Sequence, residues 1–201
     1  LRFLKRNLGK YSSLLALFSA LLLALSILLS IFFQFNFLGN AGKYFSSVLL
    51  GLCLVTMVYS YLCLASSEDR PSVVFSLIIS IIYFLFVFIG YHTLFSERII
   101  LSDPDHFDLF YIFSIFGYVP VSFAFIFIGL SLKTKNPGAK ILQKLMYFHF
   151  IFGLVFILNL ISTFFFPVYS LIDNFRLFIL VFWCFYFSVL SLLSYRYFCY
   201  N

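Results

Sequence analysis

Three histidines and seven carboxylates, with a few grouped amides and hydroxyls, are the side chains with chemistry to offer in this sequence. The densest group is Asp103-Pro104-Asp105-His106-Phe107-Asp108, which holds three carboxylates and an imidazole. Hard oxygen ligands can draw a divalent cation, and an imidazole beside them would make the site pH-sensitive. The same residues also serve as a plain solvated loop, and no metal is assigned to them. Asn159, Ser162 and Thr163 stand at i, i+3 and i+4, on one face of a helix. Together with His92 and Gln34 they form the candidate ligand-binding set, able to hydrogen-bond a small molecule entering from outside. The competing role is hydrogen bonding to neighbouring helices, at ~0.6–2 kcal/mol each.

Several reaction classes lose ground on what is missing. No HExxH, GxSxG or glycine-rich phosphate loop occurs, so no catalytic residue is assigned. Proton-coupled transport calls for a buried carboxylate and a retinal pocket for a mid-helix lysine; the apolar segments contain neither. Cys53, Cys63, Cys184 and Cys199 lie in or at the ends of those segments without a CxxC pair. They read as small apolar side chains rather than disulfide or zinc partners. No cofactor is implied.

The elements that must position these residues are six uncharged apolar stretches of 21 to 24 residues. They run about Tyr11–Phe33, Tyr44–Ala65, Val73–Phe95, Leu109–Leu132, Leu145–Phe166 and Leu177–Tyr197. At ~1.5 Å per residue each would span ~30 Å, the thickness of a bilayer's hydrocarbon core. Only Arg196, at the very end of the last, carries charge. A charge near a helix centre would cost at least ~2.5 kcal/mol on insertion. With 64% hydrophobic and 10% charged residues, the chain lies far from the ~25% charged content of soluble domains. The expectation is an all-α polytopic membrane bundle, a single domain over residues 1–201 with six transmembrane helices. Its 32 phenylalanines are spread over all the spans and read as lipid-facing and interhelical filler.

Loop charges orient the bundle. With the N-terminus inside, ten basic residues fall on the inner side and three on the outer, and five of the seven acids fall outside. That is a positive-inside bias, which places both ends of the segment in the cytoplasm. The net charge of +6 is thus a matter of topology, and no direct nucleic-acid contact is expected. Lys133, Lys135, Lys140 and Lys144 would face anionic headgroups. Asn40-Ala41-Gly42 and Asn136-Pro137-Gly138 have turn chemistry. Gly117 and Pro120 mark a candidate hinge in the fourth span, where proline removes a backbone hydrogen bond. Ala16, Ala20 and Ala24 form a small-residue ridge for close helix packing. His149, about one turn into the fifth span, is expected to reach the interface or bond a neighbouring carbonyl rather than relay protons.

The Phe- and Leu-rich helices, the basic inner loop LKTKNPGAKILQK and the closing LSLLSYRYF resemble the multi-span N-terminal regions of membrane-bound LuxR-type transcription regulators. The seven-helix input domains of some histidine kinases are similar. Those regions begin outside and have about seven helices, which would make these the last six and LRFLKR the exit of an earlier one. The resemblance implies a non-catalytic sensor in the bacterial inner membrane. It would read a small ligand or lipid, pass the signal to a cytoplasmic output module, and allow homodimer formation. Six helices with both ends inside and the Ala16, Ala20, Ala24 ridge also resemble the substrate-binding subunits of energy-coupling-factor vitamin importers. An accessory subunit of a larger membrane complex is a third expectation.

Overall fold

The computed structural model describes the backbone of residues 2–33, 36–100, 107–132, 137–165 and 169–200. Side chains are described at 4, 6–29, 31–32, 42–90, 118–132, 137–158, 161 and 178–200. All regular structure among these residues is helical: α1 (Arg2–Phe33), α2 (Asn36–Leu64), α3 (Arg70–Ile100), α4 (Phe107–Ser131), α5 (Pro137–Phe148), α6 (Phe150–Phe165) and α7 (Tyr169–Tyr200). Five stretches are long and apolar enough to cross a membrane: Arg6–Leu29, Gly42–Leu64, Arg70–Gly90, Pro137–Leu158 and Phe178–Tyr200. In the fourth helix the part whose side chains are described, Tyr118–Ser131, is apolar but shorter.

α1 to α4 pack on one another in chain order, α4 packs on both α5 and α6, and α7 closes the circuit by packing on α5 and α1. α7 also reaches across the centre. Its Phe198 meets Tyr61 of α2 at 4.6 Å between ring centroids, and its Trp183 meets Tyr118 of α4 at 4.8 Å. The α1 face that receives α2 and α7 is made of small residues. Ser12, Ser13, Ala16, Ser19, Ala20 and Ala24 are all buried there. Between apolar helices in an apolar solvent, association rests on close van der Waals packing, which small side chains permit. Gly9 shows how close the approach is: a Cβ there would stand 2.7 Å from the Phe198 ring. The bundle's outer surface is oily instead of polar, with Phe182 67%, Phe18 60% and Phe75 59% exposed. Water-soluble monomers rarely display apolar surface on this scale. These properties fit an integral membrane protein.

Helix ends differ from the apolar runs in instructive ways. α1 begins at Arg2 and α7 reaches Tyr200, because a helix need not stop where its apolar run stops. Between α2 and α3 the chain turns on a serine cap. The Ser66 hydroxyl donates to the Asp69 carboxylate and accepts from the Asp69 amide at 3.4 Å. Asn40-Ala41-Gly42 is not a turn; it lies inside α2, and Gly42 sits where Ser26 of α1 crosses. The Pro-Gly of the other turn sequence opens α5, where a missing N–H is harmless.

The largest departure is the fifth span. It starts at Pro137, eight residues before the expected Leu145, and breaks at His149. α5 is amphipathic: Ala139, Leu142 and Met146 are buried at i, i+3 and i+7, while Lys140 and Lys144 are exposed. Those two lysines ended the uncharged run but not the helix. α4, by contrast, is helical through Pro120. The interruption lies in its neighbour.

Candidate functional site

The break at His149 occurs without glycine or proline, in the aromatic run Tyr147-Phe148-His149-Phe150. The His149 amide still donates to the Leu145 carbonyl at 3.0 Å, but the His149 carbonyl accepts from Phe152, three residues on, at 3.1 Å. One turn is thereby tightened to i→i+3 spacing. Neighbouring helices hold the tightened turn on two sides. The Tyr186 hydroxyl of α7 donates to the Leu145 carbonyl at 2.7 Å, and the Gln143 amide of α5 donates to the Gly129 carbonyl of α4 at 2.7 Å. The Leu145 carbonyl already accepts from the His149 amide, and Tyr186 takes its second lone pair.

His149 itself is fully buried, so it neither reaches the interface nor snorkels. It lies twelve residues beyond the start of α5, deep enough for α4 and α7 to enclose it. Its Nδ1 stands 3.1 Å from the Ser122 hydroxyl of α4 rather than against a carbonyl. Aromatic rings close around the imidazole: Phe125 at 4.7 Å, Phe152 at 5.7 Å, Tyr186 at 5.8 Å and Trp183 at 5.9 Å between centroids. These spacings are in the range where aromatic pairs attract. One turn on, Gly153 makes the approach possible. A Cβ there would lie 2.8 Å from Ser122 Cβ and 3.1 Å from its Oγ.

Two buried nitrogens in this cluster find no hydrogen-bond partner among the described residues, His149 Nε2 and Trp183 Nε1. The indole N–H can only donate. The imidazole Nε2 accepts when Nδ1–H donates to Ser122, and donates when the Ser122 hydroxyl donates to Nδ1. Buried polar groups of this kind are normally satisfied, and exceptions gather at functional sites. A serine beside an imidazole also has the geometry of an activated nucleophile. Here both residues are fully buried, which leaves a substrate carbonyl no approach to Ser122 Oγ. The arrangement is poorly built for acyl transfer.

No family model matches this chain, and no curated protein or solved structure is significantly similar to it. The site therefore stands on its geometry.

Of the residues expected from sequence to bind ligand, Gln34 lies outside the described residues. His92 falls in α3, and Asn159, Ser162 and Thr163 fall in α6, but their side chains lie outside the described residues. Asp103, Asp105 and His106 are likewise outside, as is the side chain of Asp108. Among the described residues no group of three His, Cys, Asp or Glu is placed to hold a metal ion. All four cysteines are free thiols. Ser122, Trp183 and Tyr186 carried no sequence signal, since Ser and aromatic residues occur throughout the spans. The neighbouring Ala16, Ala20 and Ala24 ridge is buried within the bundle by the chain's own helices.

Proposed function

We propose that the chain is a non-catalytic signal-input domain of six spans, with α5 and α6 together forming the fifth. In this reading both ends of the segment face the cytoplasm of a bacterial inner membrane. An output module, DNA-binding or kinase in kind, would take the signal from α7. The observation that carries the proposal is the interrupted fifth span at His149, wedged between Ser122 of α4 and Trp183 of α7. A broken helix in a closed circuit of helices is an element with room for two packings, and its α7 neighbour leads to the end of the segment. The burial of the Ala16 ridge weighs against the importer reading, in which that ridge would be needed by a coupling partner.

The test uses the purified protein in lipid nanodiscs, with Cys63→Ser and a spin label on Cys199 in the last turn of α7. His149→Phe keeps the ring and removes both nitrogens. It should change the mobility of the Cys199 label, whereas Phe182→Leu on the exposed face should not. An unchanged label in His149→Phe would disconnect the site from the α7 end and defeat the reading. Topology has its own check: a reporter fused after Asn201 should be active in the cytoplasm and inactive outside. The outward chamber of Asn159, Ser162, Thr163, His92 and Gln34 belongs to the same proposal. Asn159→Leu with Thr163→Val should blunt the response in the full-length protein without lowering membrane insertion.

A further inference from the structure

We propose that a pocket between the first turn of α5 and the last turns of α7 binds an anionic phospholipid. The inference rests on the membrane reading of the bundle. The pocket is about 340 Å³ in volume and is lined by Gly138, Ile141, Leu193, Arg196, Tyr197 and Tyr200, among others. That is within the ~300–1,000 Å³ range of ligand sites. Its walls divide by chemistry. Ile141 and Leu193 offer an apolar flank, Tyr197 and Tyr200 offer rings with polar tips, and Arg196 supplies a guanidinium. None of the lining residues is acidic. Asp69, whose field reaches Tyr197, accepts a hydrogen bond from Ser66 at the α2–α3 turn.

The surroundings fix the sign of the ligand. Gly9 of α1, Tyr61 of α2 and Phe198 of α7 meet at this end of the bundle, which joins the start of α1 to the end of α7. Arg6 and Lys10 of α1, Arg70 of α3 and Lys140 and Lys144 of α5 therefore share the end that Arg196 occupies, and they outnumber Glu68 and Asp69 of the α2–α3 turn. A guanidinium pairs with phosphate through two parallel N–H···O bonds, a geometry that ammonium lacks. An apolar flank beside such a cation fits a molecule with a phosphate at one end and an acyl chain at the other. A free anion would leave that flank bare. Tyrosines at the rim suit the interface, where one end of the ring is apolar and the other wet.

Native mass spectrometry of the intact protein, released from nanodiscs of mixed phosphatidylglycerol and phosphatidylcholine, tests the proposal. The wild type should retain phosphatidylglycerol in preference to phosphatidylcholine. Arg196→Gln should cut that preference about five-fold, the loss of one basic contact to an anionic headgroup. Gly138→Trp should displace the lipid by filling the pocket, since nothing stands within 4 Å of a Cβ at that position. Equal retention of the two lipids by the wild type would overturn the site. So would an unchanged preference in both variants. Failure to enter nanodiscs at all would instead strike the membrane reading, so the two failures are distinguishable.

Discussion

Gly153→Leu is expected to drive α6 away from α4 and to cost the bundle about 3 kcal/mol, the upper part of the usual range for overpacking. The reason is local. Even a single methyl at this position would sit 2.8 Å from Ser122 Cβ, and that atom is fixed to the α4 backbone. A flexible side-chain tip could yield; a Cβ on a packed helix cannot. Separating the helices also pulls Ser122 off His149 Nδ1, so the interhelical bond is lost with the contact. Unfolding in a denaturing-detergent titration, followed by circular dichroism, measures the loss. Gly138→Ala is the matched control, because nothing lies within 4 Å there, and it should stay within ~0.5 kcal/mol of wild type. Exchanging the methyl across the interface gives the sharper result. Gly153→Ala alone should destabilise by about 1–3 kcal/mol. Ser122→Gly added to it should recover part of that loss, though the His149 bond is gone. Independent, additive effects of the two substitutions would show that α4 and α6 do not meet at this point.

What the sequence could reveal here was set by periodicity and length. Uncharged runs of bilayer length announce helices whatever packs on them, so the helices were legible, and five of them are long and apolar enough to cross a membrane. Their ends were not. Charge stops an apolar run without stopping a helix, and α5 shows it: Lys140 and Lys144 lie on its exposed side while Ala139, Leu142 and Met146 face inward. The i, i+3, i+7 spacing of those three was present in the sequence but masked by the lysines between them. The Asn40-Ala41-Gly42 triplet failed in the opposite way. Its composition is that of a turn, yet Gly42 serves a helix crossing at Ser26. The candidate site was less visible still. His149 stood out as a histidine in an apolar run, but its role depends on Ser122, 27 residues earlier, and Trp183, 34 residues later. No local pattern couples residues that far apart. The break itself has neither proline nor glycine to announce it.

Trp183→Ala should be the most damaging single truncation in the bundle, at about 3–5 kcal/mol. The indole is fully buried and touches Tyr118 of α4, His149 at the α5–α6 break, and Phe187 of its own helix at 5.1 Å. It is the side chain through which three helices meet. In lipid, the cost is lost dispersion contact and a void instead of lost hydrophobic transfer. Trp183→Phe separates the two things the residue offers. It keeps a ring for Tyr118 and Phe187 and removes the N–H, which has no partner among the described residues. If that N–H served only packing, removing an unsatisfied buried donor should be neutral or slightly stabilising. A role in the response predicts the same near-wild-type stability but an altered mobility of the Cys199 label, as in His149→Phe. Trp183 is the chain's only tryptophan, so its emission reports on this centre alone in the wild-type protein. Emission that stays fixed when Ser122→Ala removes the imidazole's partner would separate the indole from the histidine and leave Tyr186 as the link between α7 and the break.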